Sequence, residues 1–186
     1  MYLGSERKKL RLPEYNYSEA GWYFVTICVK NQECCFGGVQ KDIMCLNEYG
    51  TIVQKCWYDI VYHYAGITLD EFIIMPNHVH GIIVIEDGVT TVGARHAWPL
   101  RMRTQMPSTI LRPYQKLPIV VGSFKSAVSK IIHLLFDGDC FQWQRSFYDE
   151  IIKSESHLNN ARQYIWDKPS RWDRDHNIIT EKMFRK

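Results

Sequence analysis

The chain has 186 residues and a mass of 22.0 kDa, and its 46% hydrophobic and 13% aromatic content supplies a packed core, excluding a disordered tail or a disulfide-stapled miniprotein. The 23 Lys+Arg against 20 Asp+Glu give a formal charge of +3 and a pI near 8.5. One domain fits this length, and the longest apolar runs, at 24–29 and 81–85, fall short of the ~18 residues that span a bilayer.

Gly21 opens a β-branched and aromatic run over 22–29 that predicts a central strand. Phe36, Gly37 and Gly38 form a turn, and 39–46 predicts a second, weaker strand. Asn47 is a good N-cap. Beyond it Ile52, Val53, Cys56, Trp57, Ile60, Val61 and Tyr64 recur at the spacing of a helix with one buried face. Residues 68–75 and 79–85 are apolar runs joined by Pro76 and Asn77, the pattern of two antiparallel strands with a tight connection.

Residues 87–118 carry four prolines, scattered arginines and no sustained period, so they predict a basic loop insertion of the kind kept for binding. Ser123 is then expected to cap a helix with Phe124, Ala127, Val128, Ile131 and Leu135 on one face, ending near Gly138. The segment 140–152 holds a short edge strand. Ser154 caps a last helix with Leu158, Ala161 and Ile165, expected to stop before Pro169 because the residue preceding a proline avoids the α region. The order predicts an α+β fold, with helices packed on one face of an antiparallel sheet.

Charge is uneven along the chain. Residues 1–87 hold 7 basic and 11 acidic side chains, 88–136 hold 7 basic and none acidic, and 137–186 hold 9 of each. The middle stretch, with Lys125 and Lys130, makes a positive field suited to a phosphate backbone. A second basic run, Arg7, Lys8, Lys9 and Arg11, is followed by no continuous apolar segment, so a cytoplasmic protein is expected. The six cysteines contain no C-x-x-C pair and predict reduced, mostly buried thiols.

Chemistry concentrates in Met75-Pro76-Asn77-His78-Val79-His80-Gly81. With a strand's period of two, His78 and His80 project to one face, Cα atoms ~6.6 Å apart, and two imidazoles so placed can grip one cation. A pair of strand histidines satisfied by nearby polar groups gives the same pattern.

This segment resembles the histidine-hydrophobe-histidine (HUH) motif of single-strand DNA nucleases, and its surroundings resemble the REP-associated tyrosine transposases and their insertion-sequence relatives. The resemblance takes in Arg11-Leu12-Pro13-Glu14-Tyr15-Asn16-Tyr17, Gly21-Trp22-Tyr23-Phe24-Val25-Thr26, Phe124-Lys125-Ser126, Trp143-Gln144-Arg145-Ser146-Phe147-Tyr148-Asp149, and Tyr164-Ile165-Trp166-Asp167-Lys168-Pro169 with Trp172. It implies a single ferredoxin-like HUH nuclease domain over 1–186. The implied activity is a metal-dependent, nucleoid-associated transposase that cuts and rejoins single-stranded DNA beside a hairpin through a 5′-phosphotyrosine. His78 and His80 would hold a divalent ion, Mg or Mn, and Tyr164 would be the nucleophile, with Tyr148 the second choice.

The family's third metal ligand, an Asn or Gln four residues past the tyrosine, is replaced here by Lys168, whose ammonium has no lone pair for a metal. Three readings stay open: Asp167 or Gln163 takes the ligand role, Lys168 contacts the DNA phosphate, or cleavage is lost and a hairpin-binding protein remains. Arg7, Lys8, Lys9, Arg11, Lys125, Lys130 and Arg145 are the expected phosphate contacts, with Trp143 and Trp98 as base-stacking candidates. The resemblance leaves open whether the tyrosine helix serves its own subunit or a partner's in a homodimer.

Overall fold

The computed structural model describes residues 19–86, 116–137 and 140–184, with side chains described as far as Trp172. In chain order the elements are β1 (Gly21–Cys28), β2 (Gly37–Gln40), β3 (Ile43–Leu46), α1 (Glu48–His63), β4 (Ile67–Met75), β5 (His78–Ile85), α2 (Lys116–Leu135), β6 (Tyr148–Ile152) and α3 (Glu155–Phe184). Four strands pair antiparallel in the order β4-β5-β1-β6, and β2 and β3 form a separate hairpin. The succession β1-α1-β4-β5-α2-β6 with that strand order is the ferredoxin-like arrangement, two interlocked βαβ units in which β1 and β5 are central.

Alternation along the strands gives the sheet two faces. On one, Tyr23, Val25 and Ile27 of β1 and Val79, Ile83 and Ile85 of β5 pack with Val53, Trp57 and Ile60 of α1 and with Val120, Val121, Phe124 and Val128 of α2. Gly81 belongs to this contact: a Cβ there would fall on the Trp57 indole, so only glycine lets α1 sit this close. α1 starts as its sequence predicts, with the Asn47 side chain accepting from Gly50 N at 3.0 Å.

The expectation of helices on one face holds for α1 and α2. α3 lies on the opposite face, where Leu158, Ala161 and Ile165 cover Trp22, Phe24, Ile73, Ile82 and Ile152. The second apolar row of β1 and β5 requires this cover.

Three further expectations are corrected. Residues 39–46 are not one strand but part of a hairpin that turns at Lys41 and Asp42, both at positive φ (48° and 60°). α2 starts at Lys116 instead of Ser123, because Pro118 falls in its first turn, where the missing N–H has no helical partner to lose. The basic loop expected over 87–118 thus ends by 115, and residues 87–115 lie outside the described residues. The earlier start also makes α2 long and apolar enough, by length and composition, to cross a membrane, with a mean hydropathy of 1.3, although six of its residues are buried in this fold.

α3 runs through Pro169 to Phe184 instead of stopping before the proline. Pro169 removes the bond to the Ile165 carbonyl, and that loss is offset by packing of Ile165 with Leu158 and Ala161 on the apolar residues of the sheet.

Asp70, at a register shift in β4, ties the helix down: Arg162 Nε donates to Oδ1 at 2.8 Å and its NH2 to Oδ2 at 2.6 Å. The guanidinium holds the Asp70 carboxyl below its ordinary range, against the opposing effect of burial. An unfolded chain takes up this proton first as pH falls, so the stabilisation is complete above about pH 4 and is lost as pH drops through the lowered value. Asp70→Asn is expected to cost about 1 kcal/mol at pH 7 in urea unfolding and to flatten the stability curve below pH 4.

Candidate active site

His78 and His80 enter β5 directly after the two-residue connection Pro76-Asn77, and that connection is fixed by backbone bonds from the 29–36 segment. Val29 N donates to Asn77 O at 2.9 Å, and Cys35 N and Phe36 N donate to Pro76 O at 2.8 and 3.0 Å. Asn77 Nδ2 donates to Gln32 O at 3.1 Å, which turns its Oδ1 toward His78 Nδ1 at 2.6 Å. An amide oxygen only accepts, so His78 carries a proton on Nδ1, which in the neutral ring is the tautomer with its lone pair on Nε2.

His80 is fixed from the neighbouring strand. Thr26 is its Cα partner in the β1–β5 register, and Thr26 Oγ1 lies 2.8 Å from His80 Nδ1. His80 is 5% exposed, and its Nε2 is buried without a hydrogen-bond partner among the described residues. Burial above all, then the nearby His78 and Lys168, holds its pKa well below the ordinary value, so the ring is neutral at pH 7.

Tyr164 of α3 meets this pair within one chain. Its ring centroid is 5.3 Å from that of His80, the two imidazoles are 4.5 Å apart, and Phe24 packs on both His80 (5.4 Å) and Tyr164 (5.9 Å). Tyr164 is 38% exposed, so the phenol can be reached from solvent. Tyr148 sits on the far side of Thr26 in β6, two strands from His80, which separates their Cα atoms by ~10 Å.

One turn further along α3, Lys168 is only 9% exposed and its Nζ lies 5.1 Å from the Tyr164 ring centroid. Trp172, another turn on, reaches His78 with 6.2 Å between ring centroids.

The other expected residues divide. Asp167 Oδ1 accepts from Gln163 Nε2 at 2.7 Å and Oδ2 from Arg171 at 2.8 Å, so both oxygens are engaged along the helix surface. Trp143 is half-buried against the core: it packs with Phe36, Phe124 and Phe141, and its indole N–H donates to Lys125 O at 3.1 Å. The Lys125 ammonium donates to the Gln144 and Arg145 carbonyls at 2.6 and 3.2 Å, a structural tie that an alternating pattern cannot reveal. Lys130 and Arg145 are exposed. Arg7, Lys8, Lys9, Arg11 and Trp98 lie outside the described residues.

The donor set does not suit Mg or Mn. Both ions favour several oxygen ligands, yet no group of three His, Cys, Asp or Glu side chains is gathered among the described residues, and an ammonium stands beside the imidazoles.

Thr26, Phe24, Asn77 and Trp172 are participants that motif reading left without a role. Only Asn77 is signalled locally, by its place before His78; Thr26 needs the strand register.

The chain is 37% identical over 171 residues to an uncharacterized protein of Haemophilus influenzae, the match covering 91% of each. It belongs to that protein's family. No family model matches. Among solved structures, a REP-associated tyrosine transposase bound to a REP hairpin is similar at 12% identity and a TM-score of 0.49, covering 87% of this chain and 73% of that one.

Asn77→Ala is expected to leave the fold intact and release the His78 tautomer. Nitrogen-15 NMR should find Nδ1–H alone in the wild type and a mixture in the variant, while His80 keeps its neutral signature as pH falls from 7 to about 5.5.

Proposed function

We propose that this protein is a transposase-like single-stranded DNA endonuclease and strand transferase, acting beside DNA hairpins with Tyr164 as the nucleophile. One observation carries the reading: a partly exposed tyrosine, brought from the far end of the chain, lies against the buried His80 imidazole, which in turn meets the half-buried His78 ring. A motif likeness spread over most of the chain supports the substrate class, as does the stretch of seven basic and no acidic residues at 88–136.

In the proposed step the Tyr164 oxygen bonds to phosphorus as the P–O3′ bond breaks. The phenol gives its proton to solvent, and the leaving 3′-oxygen takes one up. The products are a 5′-phosphotyrosine and a 3′-hydroxyl, and the phosphoester energy kept in the covalent link lets the strand be rejoined without a nucleotide cofactor. The chain's own part is positional: Phe24 and His80 hold the phenol ring, and Asn77 and Thr26 hold the imidazoles.

A second reading, a catalytically silent hairpin-DNA-binding protein, is favoured by Lys168 standing where its relatives in motif carry a metal ligand. A labelled single-stranded hairpin oligonucleotide separates the two. The endonuclease reading expects a protein–DNA adduct stable to denaturing electrophoresis, reduced about a thousandfold or more in Tyr164→Phe with hairpin affinity kept. Tight binding with no adduct would leave the silent reading.

A further inference from the structure

Between the end of β6 and the start of α3 lies a cavity of about 530 Å³, within the size range of ligand sites. Trp22, Ile152 and Leu158 supply its apolar lining, and Lys153, Glu155 and Arg162 its charges. The Arg162 guanidinium lies over the Trp22 indole, Cζ 5.8 Å from the ring centroid, and Asp70 holds it there through Nε and Nη2. Among the described residues its Nη1 reaches only Asn159 Oδ1, at 3.4 Å. The indole is half-buried, so an aromatic ring and a guanidinium are set in place at this cavity before any ligand arrives.

We propose that this cavity takes one unpaired base of the DNA strand that is cut at Tyr164. Its charge argues for a base rather than a bare phosphate. Lys153 and Arg162 against Glu155 and the paired Asp70 sum to zero, which suits a base edge carrying both donors and acceptors, while the indole and guanidinium suit its flat face. Position argues for the same strand. Trp22 and Phe24 share one face of β1, and Phe24 packs on Tyr164 with 5.9 Å between ring centroids. Leu158 precedes Tyr164 by ~9 Å along α3, a span covered by about three stacked nucleotides. Lys153, exposed at the same cavity, holds the phosphate that adjoins the base. The proposal deepens the endonuclease reading and rests on it for the identity of the ligand.

Two arms test it on the full chain. In the first, deoxynucleoside monophosphates at millimolar concentration are expected to shift the Trp22 indole N–H signal in NMR, identified by its absence from Trp22→Leu, and inorganic phosphate is not. No shift with any base, or an equal shift with phosphate, would overturn the proposal. In the second, hairpin oligonucleotides carry one abasic residue at successive positions of the single-stranded flank. The wild type is expected to lose affinity about five- to a hundredfold at one position. Trp22→Leu should bind the intact oligonucleotide more weakly by a similar factor and be indifferent to that position. Lys153→Glu, at an exposed residue, should weaken binding severalfold with melting unchanged. A flat wild-type scan would overturn the proposal, as would a Trp22→Leu scan identical to it; where Trp22→Leu melts early, unchanged binding by Lys153→Glu does so instead. Nucleotide shifts without any hairpin adduct would sink the endonuclease reading and keep the cavity, and adduct with no shift and a flat scan would do the reverse.

Discussion

A four-stranded sheet with two helices on one side buries only half of its apolar side chains. Trp22 and Phe24 of β1, Ile73 of β4, Ile82 of β5 and Ile152 of β6 all point to the other side. Burying one such side chain is worth about 1.5–3 kcal/mol, so a bare second face would forgo much of what holds a domain of this size together. α3 supplies the cover with Leu158, Ala161 and Ile165, and the Asp70–Arg162 pair fixes where it lands. Because helical side chains three and four apart share a face, a helix pinned at Leu158, Ala161 and Ile165 must also present Tyr164 and Lys168 toward the same sheet. The site is a geometric consequence of covering the sheet.

Pro169 sharpens that point. A proline inside a helix costs ~3 kcal/mol, and a surface helix would end there. Here the helix continues, keeping Lys168 and Trp172 in the same register as Tyr164. His78 and His80 are held with comparable strictness by an amide and a hydroxyl on their Nδ1 atoms. Rings oriented from behind in this way have their remaining nitrogens defined before any ligand arrives, which is the condition for a preorganised polar centre.

Much of this was legible in the sequence, and the failures have physical causes. β1, β4, β5 and α1 announce themselves through β-branched, aromatic and apolar runs, the Pro76-Asn77 connection, and the Asn47 cap with the helical spacing after it, all local signals. The pairing of His78 with His80 follows from strand geometry, and the candidacy of Tyr164 from likeness of motif. Prolines misled twice, at the start of α2 and in α3, because their effect depends on whether the lost N–H had a partner and whether packing offsets it. Trp143 could be core or platform on composition alone; its three aromatic neighbours come from distant parts of the chain. Lys41 and Asp42 turn a hairpin with left-handed backbone and no glycine, so composition hid a reversal.

The direction of the sheet's strands adds a last constraint. β1 ends at Cys28, β5 begins at His78, β4 ends at Met75 and β6 begins at Tyr148, so four strand termini share one end of the sheet with the imidazoles. The segment leading into β6 closes on that end: Gln144 N donates to Cys28 O at 2.9 Å, and Lys30 Nζ to Gln142 Oε1 at 2.7 Å. Lys125 holds the same segment by its carbonyls, leaving the Arg145 side chain exposed there. The core contacts of Trp143 therefore anchor a backbone segment that lies at the same end of the sheet as the imidazoles. Lys125 and Trp143 tie that segment to α2, and Arg145 is its exposed charge.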